Sequence, residues 1–233
     1  MPRWFLSERA VDLDEIMDDP DCDPVLLTNT YDWFARLNPW LGRWHAVYRS
    51  HIRRHLRPDR ATRILDIGCG AGDILRLIRD RAGKDGFEVD LLGIDPDPRA
   101  IVRARALGTN ASLSFQACHS SKLVETGATF DLVISNHLLH HLSRDDVQGL
   151  LADSMALSDG LVIHNDICRD DIAWLAFWPV GAIPSFNSFI LSDGLRSIRR
   201  AWHPDELKKF VPASWEIQEK APFRTLLIHR AAS

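Results

Sequence analysis

The segment Ile64-Leu65-Asp66-Ile67-Gly68-Cys69-Gly70-Ala71-Gly72-Asp73 constrains the fold more than any other part of the chain. An apolar run ends in an acid and opens into a turn with glycine at every second position. A second acid then stands where a helix should begin. That order predicts a buried strand, a tight loop and a helix N-terminus, a place where a nucleotide-like ligand meets backbone N–H groups. A dinucleotide fingerprint would need glycine at position 73, and Asp73 stands there instead. Carboxylates in such a cradle repel a pyrophosphate and attract an ammonium or a sulfonium. The loop therefore suits a nucleoside that carries positive charge and no phosphate.

From Arg63 the apolar pattern alternates strand and helix. Strands are predicted at 63–67, 88–94, 112–117, 130–135 and 160–165, with helices at about 72–82, 97–107 and 143–156 and a short helical turn near 120–125. Such alternation implies an α/β chain with a parallel sheet covered on both faces, its strand C-termini gathered at one ligand-binding edge. Before it, Pro24 suits a first helical turn, and Leu26, Leu27, Thr30, Tyr31, Phe34 and Leu37 recur at helical spacing. Asn38-Pro39 is expected to interrupt that helix, with a second running from Trp40 to Leu56. Residues 1–23 are acidic and irregular, and a mobile or loosely docked arm is expected there. The tail is aromatic and proline-broken, then reads as two strands at 214–219 and 224–230 around the turn Lys220-Ala221-Pro222-Phe223. The chain thus divides into an acidic arm (1–23), a helical cap (24–58), an α/β core (59–168), a helical lid insert (169–212) and C-terminal strands (213–233).

Three segments in register resemble the class I S-adenosylmethionine-dependent methyltransferases: the 64–73 loop, Gly93-Ile94-Asp95-Pro96-Asp97, and Phe130-Asp131-Leu132-Val133-Ile134-Ser135-Asn136. The resemblance covers roughly residues 60 to 168 and is nearest in flavour to small-molecule enzymes of quinone and polyketide biosynthesis. It implies a Rossmann-like sandwich whose seven-stranded, mostly parallel sheet has an antiparallel last strand, and S-adenosyl-L-methionine as cofactor. By that resemblance Gly68, Cys69 and Gly70 lie against the methionine part, and Asp66 meets its amino group. Asp73 is expected mainly to serve the following helix, as N-cap or first-turn acid, with cofactor contact as a second role. Asp95 at a strand end can accept from both ribose hydroxyls, and Pro96 with Ile94 can flank the adenine. Many relatives carry an acid for the adenine amino group after the third strand. Here that place falls to Cys118 or His119.

Ser135-Asn136-His137-Leu138-Leu139-His140-His141 follows the fourth strand, where this topology faces both cofactor and acceptor. Methyl transfer needs alignment above all, and an oxygen acceptor also needs to lose its proton, a task suited to histidine. His137 is the first candidate, for positioning or base catalysis, with His141 beside it; at least one of His140 and His141 is expected to be structural. Asn136 is expected to touch cofactor or substrate. Asp166 is expected to anchor a histidine or the acceptor, or to cap the next segment. Only His137 with His141 shows a familiar metal-ligand spacing, so no metal is expected. Aromatics in the N-terminal helices (Tyr31, Trp33, Phe34, Trp40, Trp44) and in the insert (Trp174, Phe177, Trp178, Phe186, Phe189) favour an apolar, aromatic small-molecule acceptor. Ser192 to Arg200 is expected to form a turn and lid edge, with Arg196 or Arg199 facing an acidic group.

Composition narrows the remaining classes. A net charge of −4 gives no support for a nucleic-acid partner, and no apolar run is long enough for a membrane span. Four dispersed cysteines, Cys22, Cys69, Cys118 and Cys168, suit a reduced, cytoplasmic chain. Two alternatives stand beside the small-molecule enzyme. One is a protein or RNA methyltransferase, although the Asn/Asp-Pro-Pro-Tyr/Phe signature of amino-methylating relatives is absent after strand four. The other is a binding protein of the same fold without turnover. Oligomeric state is not readable from the sequence.

Overall fold

A computed structural model describes residues 5–231. The first four residues of the expected arm and the last two of the C-terminal segment lie outside the described residues. Seven strands form one sheet: β1 (Thr62–Ile67), β2 (Val89–Asp95), β3 (Leu113–Ala117), β4 (Phe130–Asn136), β5 (Ser158–Ile167), β6 (Glu216–Lys220) and β7 (Arg224–Arg230). Their order is β3-β2-β1-β4-β5-β7-β6. β1 to β5 are parallel, whereas β7 runs antiparallel to both β5 and β6. The mostly parallel sheet with an antiparallel last strand is the one the sequence predicts.

The crossovers are α3 (Asp73–Lys84), α4 (Pro98–Ala106), α5 (Ser120–Glu125) and α6 (Arg144–Ala156). Alternate side chains of the buried strands feed two separate cores. Ile64 joins Leu91 and Ile134 against Ile74, Leu75 and Ile78 of α3 on one face. Leu65, Ile67 and Val133 meet Val147, Leu150 and Leu151 of α6 on the other. Truncating a fully buried residue such as Leu65 to alanine would cost about 2–5 kcal/mol. From β1 the chain winds outward to β3 and then returns to β4 on the opposite side of β1. The loops after β1 and β4 therefore diverge, leaving a crevice at the sheet's C-terminal edge.

Four local expectations are corrected. The described part of the acidic arm is docked, because its backbone and side chains have partners across the molecule. The Leu6 N–H donates to Asp171 Oδ1 (2.9 Å), and those of Ile16 and Met17 to the two oxygens of Asp193 (2.9 and 3.0 Å). Arg9 donates to the carbonyls of His140 and Leu142 and stacks over Trp202. Asn38-Pro39 does not end the first helix: α1 runs Pro24–Leu41, since a proline in its last turn removes only one late bond, and the Asn38 carbonyl still accepts from the Gly42 N–H (2.8 Å). The second helix starts later, as α2 (Trp44–Val47), because Arg43 sits in the left-handed region at φ 52°. It then loosens into a wider turn at Tyr48–Ile52 and tightens at Arg53–His55. The insert holds α7 (Asp171–Ala182), α8 (Ile190–Arg200) and α9 (Pro204–Leu207). Ser192 to Arg200 is thus helix rather than turn, and Arg196 donates to the Asp14 carbonyl (2.6 Å) while Arg199 accepts through its own carbonyl from Ala10.

Candidate active site

The loop between β1 and α3 is shaped by backbone conformations that only glycine adopts freely. Gly68 and Gly70 lie at φ 69° and 53°, and a Cβ at Gly70 would meet nothing within 4 Å. That open space is a cradle for a ligand, whereas Gly72 (φ 77°) packs directly on the Phe115 ring. The Gly68 and Cys69 N–H groups both donate to the Ile94 carbonyl, at 2.8 and 3.0 Å, which ties this loop to the end of β2. Asp95 is fixed there by the Gly70 N–H on Oδ2 and the Asp97 N–H on Oδ1, each at 2.9 Å. Every oxygen of that carboxylate retains a lone pair for a further donor. Burial raises its pKa, against the pull of those two N–H groups.

Asp66 at the end of β1 is 1% exposed, and its Oδ1 has no hydrogen-bond partner. Burial pushes its pKa well up, and the charges of Asp73 and Asp95 push it further. Asp73 is the first residue of α3, with Gly72 in the cap position, so it is a first-turn acid rather than the cap. It accepts from Asn38 Nδ2 (3.0 Å), and burial raises its pKa.

Across the crevice, Asn136 Oδ1 accepts from Trp44 Nε1 (2.9 Å) and from Arg224 Nη2 (3.3 Å). Arg224 comes from the start of β7; it also donates through Nε to Asn165 Oδ1 (3.0 Å) and meets His137 Nε2 through Nη1 (3.0 Å). Burial draws the guanidinium down to about 10. His137 has φ 55°, and burial, followed by the Arg224 charge, holds its pKa well below the usual value. With Nε2 accepting from Arg224, the proton of the neutral ring belongs on Nδ1. His137 is therefore arranged as a donor, not as a base.

His140 is 1% exposed and lies between two acids, with Nδ1 2.8 Å from Asp166 Oδ1 and Nε2 3.3 Å from Glu15 Oε1. Burial opposes its charging, but the two carboxylates outweigh that and hold its pKa at about 9. Asp166 also accepts from the His140 backbone N–H (2.9 Å), and its own pKa is lowered because the imidazole charge outweighs burial. His141 places Nδ1 3.1 Å from Asp18 Oδ2 and Nε2 3.8 Å from Glu15 Oε1. Ser197 Oγ donates to the same Glu15 oxygen (2.6 Å).

These groups surround one cavity of about 640 Å³. Its acidic end is lined by Asp66, Gly68, Cys69, Gly70, Asp73, Asp95, Pro96 and Asp97, and Asn136, His137 and His141 stand at the middle. The same cavity also has apolar wall residues, Phe34, Leu37, Trp40, Phe177, Val180 and Ile198, with Arg224 in its wall, and Tyr31 close to Asp95 and Asp97. Asp166 stands behind His140, itself a wall residue. Cys118 and His119 lie outside the wall; Cys118 packs in the second core and its thiol pKa is raised by burial. Of the other aromatics singled out, Trp44 is fully buried in the core and Phe186 is 91% exposed. Sequence reasoning missed Glu15, Asp18 and Arg224. The only sequence signal for Arg224 was its place just after the hairpin turn, and Glu15 carried none.

Residues 64–157 match the family described as a methyltransferase domain. A ubiquinone biosynthesis O-methyltransferase of Azorhizobium caulinodans is 30% identical over 122 residues, which cover 52% of this chain and 46% of that protein. One from Rhizobium etli is 28% identical over 161 residues, covering 68% of this chain and 61% of that protein. The match therefore spans less than two thirds of the length of these curated relatives. Among solved structures, the plantazolicin methyltransferase BpumL in complex with SAH superposes with a TM-score of 0.66 over 93% of both chains, at 13% identity. Human N-acetylserotonin methyltransferase in complex with SAM does so with a TM-score of 0.59 over 87% of this chain and 55% of that one, at 12% identity. These two likenesses speak for the fold, and the domain match speaks for the family. With its seven-stranded sheet and its glycine-rich, acid-lined crevice, the chain carries a methyltransferase domain over residues 64–157 and shares the fold of methyltransferases solved with SAM or SAH bound.

Proposed function

We propose that the protein transfers a methyl group from S-adenosyl-L-methionine to an oxygen of an apolar, aromatic small molecule of the phenol or quinol kind. The observation that carries the cofactor is the orphaned Asp66 Oδ1 in a cavity end lined by four aspartates. A buried carboxylate without a partner is costly, and an ammonium offered by a ligand removes that cost. Phosphate-bearing nucleotides do not fit a wall of that charge. Asp66 would hold the amino group and Gly68 to Gly70 the methionine chain, while Asp95 takes the ribose hydroxyls and Pro96 borders the adenine. The bound cofactor supplies an electrophilic methyl carbon.

The chain's own residues do the rest. Tyr31, Phe34, Phe177 and Ile198 exclude water and seat an apolar acceptor. His137 and Arg224 present N–H donors to the acceptor side and stabilise negative charge as an oxygen loses its proton. Glu15, His140 and His141 bound the same space, and the proton leaves to bulk solvent. The relatives named as O-methyltransferases support oxygen as the acceptor atom. The free cysteines support a cytoplasmic setting, and among the described residues no helix is long and apolar enough to cross a membrane. Calorimetric titration with S-adenosylhomocysteine tests the cofactor. Mass spectrometry of phenols and quinols incubated with S-adenosylmethionine, read for the gain of one methyl group, tests the acceptor. Absence of S-adenosylhomocysteine binding to the intact protein would overturn the reading.

A further inference from the structure

We propose that Glu15, His140 and His141 form a binding site for a divalent first-row metal ion, of which zinc is the type, opening on the acceptor end of the cavity. One ligand atom from each of the three residues lies within 4.8 Å of the others. The geometry is specific as to atom. Both imidazoles turn Nε2 towards one oxygen, Glu15 Oε1, at 3.3 Å for His140 and 3.8 Å for His141. Ligand atoms around a tetrahedral zinc, each at about 2.0–2.1 Å, are separated by about 3.4 Å, so small side-chain shifts complete the set.

The outer shell is also that of a metal site. Each imidazole has its Nδ1 against a carboxylate: His140 on Asp166 at 2.8 Å and His141 on Asp18 at 3.1 Å. Two carboxylate–histidine pairs converge on a third carboxylate with both Nε2 atoms facing it, and Nδ1 partners of this kind orient histidine ligands and raise their basicity.

All three ligands line the cavity, so a metal held by them would have coordination positions open to the cavity. Two histidines and one glutamate with an open position are a catalytic rather than a closed structural set. A metal there would coordinate an acceptor hydroxyl and lower its pKa, so that the oxygen reaches the methyl donor ionised. This last step rests on the function proposed above; the binding of the metal does not.

The test is titration of the metal-stripped full chain with zinc chloride by calorimetry, alongside the visible absorption spectrum on adding cobalt(II). The expected result is one equivalent bound with a Kd below about 10 µM and a cobalt spectrum of four or five coordination. Glu15→Gln and His141→Ala are each expected to weaken that site at least 100-fold. His141 is partly exposed, so its variant keeps the test open if loss of Glu15 unfolds the arm. No stoichiometric binding by the wild-type chain, or equal binding by His141→Ala, overturns the proposal. S-adenosylhomocysteine affinity is measured on the same samples. Metal binding without nucleoside binding would sink the methyltransferase reading alone, and the converse would sink the metal site alone.

Discussion

Asp66→Asn should make the ligand-free protein more stable and the cofactor complex weaker. In the free protein Asp66 is buried beside Asp73 and Asp95, and Oδ1 has no partner. Its folded-state pKa is raised above the unfolded value. Its contribution to stability is therefore fully present below the unfolded pKa and is lost as pH rises through the folded one. An amide of the same shape carries no charge to desolvate, so the variant avoids that loss. An unsatisfied buried polar group costs about 1–3 kcal/mol, and for a chain of this length each kcal/mol moves Tm by about 2–4 °C. The expected gain at pH 8 is thus about 2–12 °C, shrinking towards zero at pH 4, where the wild-type carboxyl is neutral too. Binding should move the other way. A hydrogen bond to a charged partner contributes about 1.5–3 kcal/mol, so the Kd for S-adenosylhomocysteine should rise about 10- to 150-fold. Wild-type affinity should increase with pH through the folded pKa of Asp66, and the variant's should not. Scanning calorimetry at the two pH values and isothermal titration provide both readings. A variant that is less stable at pH 8 and binds within twofold of wild type would show that Asp66 is structural and that the orphaned oxygen is not a ligand site.

Asp95→Ala removes the acceptor for the ribose hydroxyls and the anchor of the Gly70 and Asp97 N–H groups; it should weaken S-adenosylhomocysteine binding by about 100-fold or more in a titration. Gly70→Ala should lower Tm by only about 2–8 °C yet fill the cradle and abolish binding, whereas Gly72→Ala, driven into Phe115, should mainly lower Tm. His137→Ala should reduce turnover more than cofactor affinity, and its activity should show no ionisation belonging to His137 above pH 6, because that ring is held neutral. Arg169 is fully buried and ties the carbonyls of Leu6 and Ala201 to the Glu206 carboxylate, so Arg169→Ala should destabilise by about 3–5 kcal/mol and open residues 5–19 to limited proteolysis.

The parts of this site that could be read from the sequence are those whose chemistry is local. The β1 loop carries its glycines, its strand and its acids within ten residues, and Asp95 closes the very next strand, so both position and charge were visible. The acceptor side is assembled differently. Glu15 stands 125 positions before His140 and lies in a stretch whose composition alone suggests a solvated arm. Nothing in that stretch announces that Asp193 will take its backbone N–H groups or that Ser197 will take Glu15 itself. The histidines were visible as a group, but their roles are set by partners from other elements. Arg224 fixes the tautomer of His137, and Glu15 with Asp166 fixes the state of His140. Periodicity and motif spacing report neither.

That asymmetry follows from what each half of the cavity has to do. A cofactor common to a whole fold class is met by backbone geometry and strand-end acids, which any chain with the same β-α-β order can supply. An acceptor is met by whatever covers the crevice, and here the cover is the arm, α1, α7 and α8, all outside residues 64–157. The arm contributes Glu15 and Asp18 to the wall while it is held in place by Asp171 and Asp193 at the starts of α7 and α8. Docking of the arm and completion of the acceptor wall are therefore one event. Burial raises the pKa of Asp193 to about 6. Its contribution to stability is then fully present below the unfolded aspartate pKa and lost as pH rises through about 6. Hydrogen exchange of the Ile16 and Met17 amides, followed from pH 5 to pH 8 after correction for intrinsic rates, should show protection falling across that interval. Protection that rises instead would mean that the ionised carboxylate grips the two N–H groups more strongly than its burial opposes the charge.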